Sequence, residues 1–72
     1  MKSLDDVTDA LERSIRSAVA RSAIVTRLIL RTGINVNDPR PEQRRDPECV
    51  RRVLSELQRM GIVLDATGGA TL

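Results

Sequence analysis

The stretch DPECVRRVLSELQRMGIVL, residues 46–64, decides how this chain folds. Asp46 stands where a helix N-cap belongs, Pro47 at the first helical position and Glu48 in the first turn. A short acceptor side chain satisfies an orphan amide of the first turn, and proline loses nothing there because its missing N–H would have no partner. Advancing 100° per residue, Val50, Val53, Leu54, Leu57 and Met60 fall within roughly 120° of one another. Gly61 then supplies a stop. The spacing predicts a helix over 47–60 with one apolar stripe. Opposite that stripe lie Glu48, Arg52, Ser55 and Arg59, with Arg51 on the flank, so the polar side is rich in guanidinium groups.

Beyond Gly61, IVLDATGGATL has the composition of a short hairpin over 62–72: Ile62 to Leu64 as one strand, Gly68 and Gly69 in the turn, Ala70 to Leu72 as the return. Upstream, INVNDPRPEQRRDP is rich in Pro, Asn and charge and is expected to be a loop over 33–46, long for a helix connection. At the other end, Ser3 followed by Asp6 resembles a capping box, and Leu4, Val7, Leu11, Ile15 and Ala18 recur at three and four residues. A first helix is expected over about 3–20, supported by the i to i+4 pairs Asp9 with Arg13 and Glu12 with Arg16. SAIVTRLILRTGI is apolar nearly all round, and Ser22 can cap a fresh start. Ser22, Val25 and Ile29 continue the first stripe at the same phase, so one helix of about thirty residues is the alternative; a break near Arg21 is preferred, with a second helix over about 22–32 ending at Gly33.

Size and composition limit what such a chain does. Its 72 residues allow one small domain, and the absence of aromatic residues leaves a core of Leu, Ile, Val, Ala and Met. One Cys and no His exclude a disulfide framework and the common zinc sites, so self-association, or a larger parent protein, is the expected supplement to a small core. Without His there is no base that titrates near neutral pH, and no Gly-rich phosphate loop has the required spacing. Cys49 lies at the border of the apolar stripe, as core filler. The expectation is a non-enzyme with no cofactor and no metal. The N-terminus MKSLDDVTDA is acidic and amphipathic, and no run reaches the ~18 apolar residues of a membrane span. A cytoplasmic protein without membrane contact is expected.

Charge is distributed unevenly. From Met1 to Glu12 one Lys faces four acids, whereas from Arg13 to Arg59 eleven Arg face five acids. Arginine suits planar, two-pronged contact with phosphate or with guanine O6 and N7.

The segment VRRVLSELQRMGIV followed by a Gly-containing hairpin resembles the recognition helix and wing of winged helix-turn-helix regulators, most closely the GntR-like DNA-binding domains. The resemblance covers about residues 47–72. It implies a mainly α fold of three helices plus a short C-terminal β-hairpin, in which the third helix enters the major groove and VTRLILRTGI braces it. Carried over, it places Glu48, Arg51, Arg52, Ser55 and Arg59 toward DNA, with Arg44 and Arg45 near phosphates. The chain departs from the family in the length of the link before the third helix and in a wing that carries Asp65 but no Lys or Arg. The function expected is a small transcriptional regulator binding duplex DNA as a homodimer, inferred from the missing aromatic core and the excess apolar surface around Ile24 to Leu30, with the first helix able to supply the interface. The alternative is a helical protein-interaction module whose arginines meet an acidic partner protein, with Val25 and Ile29 in the contact.

Overall fold

The computed structural model describes residues 1–64, 70 and 71. Helix α1 spans Leu4–Ser14 and opens on the expected capping box: the Asp6 amide donates to Ser3 Oγ at 3.2 Å, and the Ser3 amide donates back to Asp6 Oδ2 at 3.1 Å. Leu4, Val7, Ala10 and Leu11 form its buried side.

The first helix ends earlier than its apolar spacing predicts. Helix α2 spans Ala18–Thr32, so the break falls at residues 15–17 rather than near Arg21. Ile15 is extended, with φ −120° and ψ 102°, and Ser17, not Ser22, is the cap, its Oγ accepting from the Ala20 amide at 3.2 Å. Arg21 secures the corner by donating through its guanidinium to the Ile15 carbonyl. Ser17 offers the same capping chemistry five residues before Ser22, and starting there lets the second helix run for 15 residues. Of the two expected i to i+4 ion pairs, neither forms among the described residues; Arg16 lies in the corner, outside the helix that would have aligned it with Glu12.

Gly33 closes α2 in the left-handed conformation at φ 73°, where its amide donates to the Ile29 carbonyl. A side chain there would be strained, which is the reason a glycine stops this helix. The following segment is not the plain solvated loop expected over 33–46. Ile34 and Val36 alternate with Asn35 and Asn37, and both apolar side chains are about 1% exposed. Thr8 Oγ1 on α1 donates to the Val36 carbonyl at 2.7 Å. The connection thus threads across the core as a strap, then forms a one-turn helix, α3, over Pro41–Arg44. Among the described residues four helices replace the three predicted.

Helix α4 spans Pro47–Arg59, with Asp46 accepting from the Glu48 amide and Pro47 in its first turn, as the capping pattern predicts. Its stripe supplies the centre of the molecule: Val50, Val53 and Leu57 pack with Leu4, Val7 and Leu11 of α1, Leu28 of α2, Ile34, Val36 and Ile62. Each such side chain removed from water contributes on the order of 1.5–3 kcal/mol. Gly61, at φ 81°, turns the chain out of α4 into strand β1, Val63–Leu64, which pairs antiparallel with β2, Ala70–Thr71, Val63 opposite Thr71 and Leu64 opposite Ala70. The predicted Gly68 and Gly69 turn lies outside the described residues, as do Asp65 and Leu72. Among the described residues no helix is long and apolar enough to cross a membrane.

Candidate nucleic-acid interface

Because Val50, Val53 and Leu57 face the core, geometry forces the other side of α4 outward. Glu48, Arg51, Arg52 and Arg59 are exposed and Ser55 is half-buried. They form one ridge along the helix. On one side the ridge meets α2; on the other, Arg51, Leu54, Ser55 and Gln58 line a shallow groove with Ile62, Val63 and Leu64 of the strand segment.

The guanidinium groups of this ridge are engaged to different degrees. Arg51 grips Glu48 through two donors, Nε to Oε2 at 3.0 Å and Nη2 to Oε1, with both side chains about 60% exposed. That two-pronged contact holds the Glu48 carboxyl below the usual carboxylate range and raises Arg51 above the usual arginine value. Arg52 reaches sideways and donates through Nη2 to the Thr32 carbonyl at 2.9 Å. A cation on the last turn of a helix satisfies a free carbonyl and complements the macrodipole, so Arg52 ties α4 to the end of α2.

Arg59 leads to the feature that the sequence did not disclose. It contacts Glu56, whose side chain is only 5% exposed although it belongs to a charged residue. Arg59 Nη1 lies 3.3 Å from Oε2, Arg27 Nε 3.5 Å from Oε1 and Arg31 Nε 3.9 Å from Oε1. One buried carboxylate therefore gathers three arginines from two helices. Buried charge is tolerated only when paired, and here the pairing spans α2 and α4. Helical geometry held a clue: at 100° per residue Glu56 falls about 60° from Val53, on the edge of the apolar stripe rather than opposite it.

The remaining predicted residues lie elsewhere. Arg44, on α3, makes a 2.6 Å ion pair with Asp5 of α1 and is engaged in holding α3 to α1. Arg45 is exposed and makes no ion pair among the described residues. Cys49 is half-buried against the core with Sγ 3.7 Å from Asp46 Oδ2, and burial followed by the Asp46 charge pushes its thiol up, away from the reactive thiolate. Among the described residues no three His, Cys, Asp or Glu side chains gather as metal ligands do.

A second surface stands on α2. Val19 is 82% and Leu30 80% exposed, on the side of the helix facing away from Leu28 and the core. Ala18, Ser22, Ala23 and Thr26 lie between them, with Arg27 and Arg31 along one flank. Of the residues expected in a protein contact, Val25 packs half-buried against the core and Ile29 is 40% exposed. The apolar side of α1, in contrast, is consumed within the monomer. The chain matches no protein-family model, no curated protein and no solved structure.

Proposed function

We propose that this protein is a small DNA-binding regulator of transcription that lays the outer ridge of α4 in the major groove of a duplex. One observation carries the reading: Glu48, Arg51, Arg52, Ser55 and Arg59 stand on one outward side of a helix whose other side is the core, with a two-stranded unit following it. A helix of this diameter fits a major groove, and guanidinium groups on its outer side suit both guanine edges and phosphates. Arg51 is held by Glu48 in the free protein, so base reading by Arg51 requires exchange of that carboxylate for an acceptor on DNA. Arg45 and Arg59 offer donors without that exchange, whereas Arg44 is engaged by Asp5. In this reading the protein works as a homodimer, whose contact surface is the exposed side of α2 rather than α1.

A mobility-shift titration of duplex DNA at rising salt tests the proposal. Binding that weakens steeply with salt supports it, because each phosphate contact releases a condensed counterion. Failure to bind any duplex at low salt ends it.

The exposure of Val19 and Leu30 favours a second reading, a helical protein-interaction module with an acidic partner. Arg51→Ala with Arg52→Ala abolishes DNA binding in the first reading and leaves self-association intact. In the second, Val19→Ser with Leu30→Ser removes the activity and DNA is irrelevant.

A further inference from the structure

Three arginines converge on the buried carboxylate of Glu56. Arg27 and Arg31 approach Glu56 through Nε, and their terminal Nη groups make no hydrogen bond among the described residues. Arg59 uses Nη1 alone. Three guanidiniums against one carboxylate leave an excess of two positive charges at one place. Their side chains are 49%, 63% and 76% exposed, so the unused donors are open to solvent while Glu56, 5% exposed, restrains the stems from below.

That restraint changes what the cluster does. Long arginines normally lose side-chain entropy when they close on an anion, and a buried carboxylate that already holds three of them lowers that loss. A phosphate group offers several acceptor oxygens and a charge of the right sign, and charge-assisted hydrogen bonds from forked donors are roughly twice as strong as neutral ones. Spacing on α2 adds to this, since Arg27 and Arg31 are four residues apart and lie on the same flank.

We propose that Arg27, Arg31 and Arg59, held around the buried Glu56, form a binding site for a phosphate group, occupied by a backbone phosphate when α4 lies against a duplex. The identification of that phosphate as DNA rests on the reading above; the site itself does not. It extends the interface from α4 onto α2 and assigns backbone contact to Arg27 and Arg31, which no motif in the sequence singles out. It also gives Glu56 a positioning role, because this carboxylate touches the arginines and not the ligand.

Two arms of one experiment separate a phosphodiester from free phosphate. In the first, the protein labelled with ¹⁵N is titrated with inorganic phosphate at constant ionic strength, following the arginine Nε–Hε resonances. Selective, saturable shifts at Arg27, Arg31 and Arg59, with Arg40 and Arg45 unmoved, support the site; uniform small shifts at all arginines overturn it. In the second, duplex affinity is measured against salt for the wild-type protein and for Arg27→Ala with Arg31→Ala. Both side chains are about half exposed or more, and helical amides in the variant's spectrum report that it folds. Loss of about one unit from the salt slope places a backbone phosphate in the site, and an unchanged slope in a variant that binds overturns that assignment. Arg27→Lys with Arg31→Lys keeps the charge without the fork, and is expected to retain the slope but lose the selective phosphate shift at Arg59, whose Nε–Hε resonance remains to report it. If the wild-type protein binds no duplex while the first arm is positive, the DNA reading fails and the site stands as one for free phosphate.

Discussion

Asp6 shows how closely a single side chain here is tied to its neighbours. Its carboxylate accepts from the Lys2 amide at 2.8 Å and from the Ser3 amide at 3.1 Å, and the first of these is the main reason its carboxyl lies below the ordinary aspartate value. A depressed folded-state pKa contributes stability that is present above the unfolded value and is lost as pH falls through the folded one. The wild-type protein is therefore expected to lose its advantage over Asp6→Asn as pH drops below the ordinary carboxylate range, in urea titrations repeated along a pH series; a constant difference between the two would contradict this. Ser3 and Asp6 were legible in sequence because capping is local. Glu56 was not, because its burial depends on α2 arriving from 25 to 29 residues earlier, where Arg27 and Arg31 sit. Replacing Glu56 by Gln removes the negative charge that three arginines share and keeps one neutral amide oxygen as acceptor, and each arginine is about half exposed or more and turns to water, so the cost is expected at ~1–2 kcal/mol rather than the 3–5 kcal/mol of a fully buried pair. Denaturant unfolding measures it, and an unchanged midpoint would show that the cluster does not brace the fold.

At the scale of elements, α4 was the best determined from sequence, since its cap, its proline, its stripe and its terminal glycine all agree. Agreement of that kind failed at the junction of α1 and α2, where Ser17 and Ser22 offer equivalent caps and the apolar spacing runs through both. The strap over 33–46 was obscured for a different reason: two apolar residues, Ile34 and Val36, are embedded in turn-forming chemistry that suggests solvent, and only the packed structure shows both buried. Where the strap begins, Gly33 carries a positive φ with nothing within 4 Å of where a Cβ would stand. Its replacement by Ala therefore meets backbone strain and no clash, with an expected cost of about 1 kcal/mol. A thermal melt measures this; no shift in the midpoint would mean that the α2 terminus relaxes freely.

For the whole molecule, a core without rings is small, and among the described residues the two most exposed large apolar side chains, Val19 and Leu30, lie on α2. Leu30→Glu places a charge at one end of the surface assigned to the homodimer, at a side chain 80% exposed and outside the core. Sedimentation velocity is expected to show a dimer for the wild-type protein and a monomer for this variant, with helical content unchanged; a monomeric wild-type protein would remove the dimer from the account. The candidate site itself was half visible in advance. The ridge of α4 followed from helical periodicity, but its extension over α2 and the engagement of Arg44 by Asp5 arise from packing that no local pattern encodes. The claim on which function rests is that this ridge meets a duplex. Mapping amide chemical shifts while duplex DNA is added at low salt tests it most directly. The account predicts changes concentrated in residues 47–59 and around Arg27 and Arg31, with α1 residues 4–14 unmoved. Changes confined to Val19 through Leu30, or no changes at all, would contradict it.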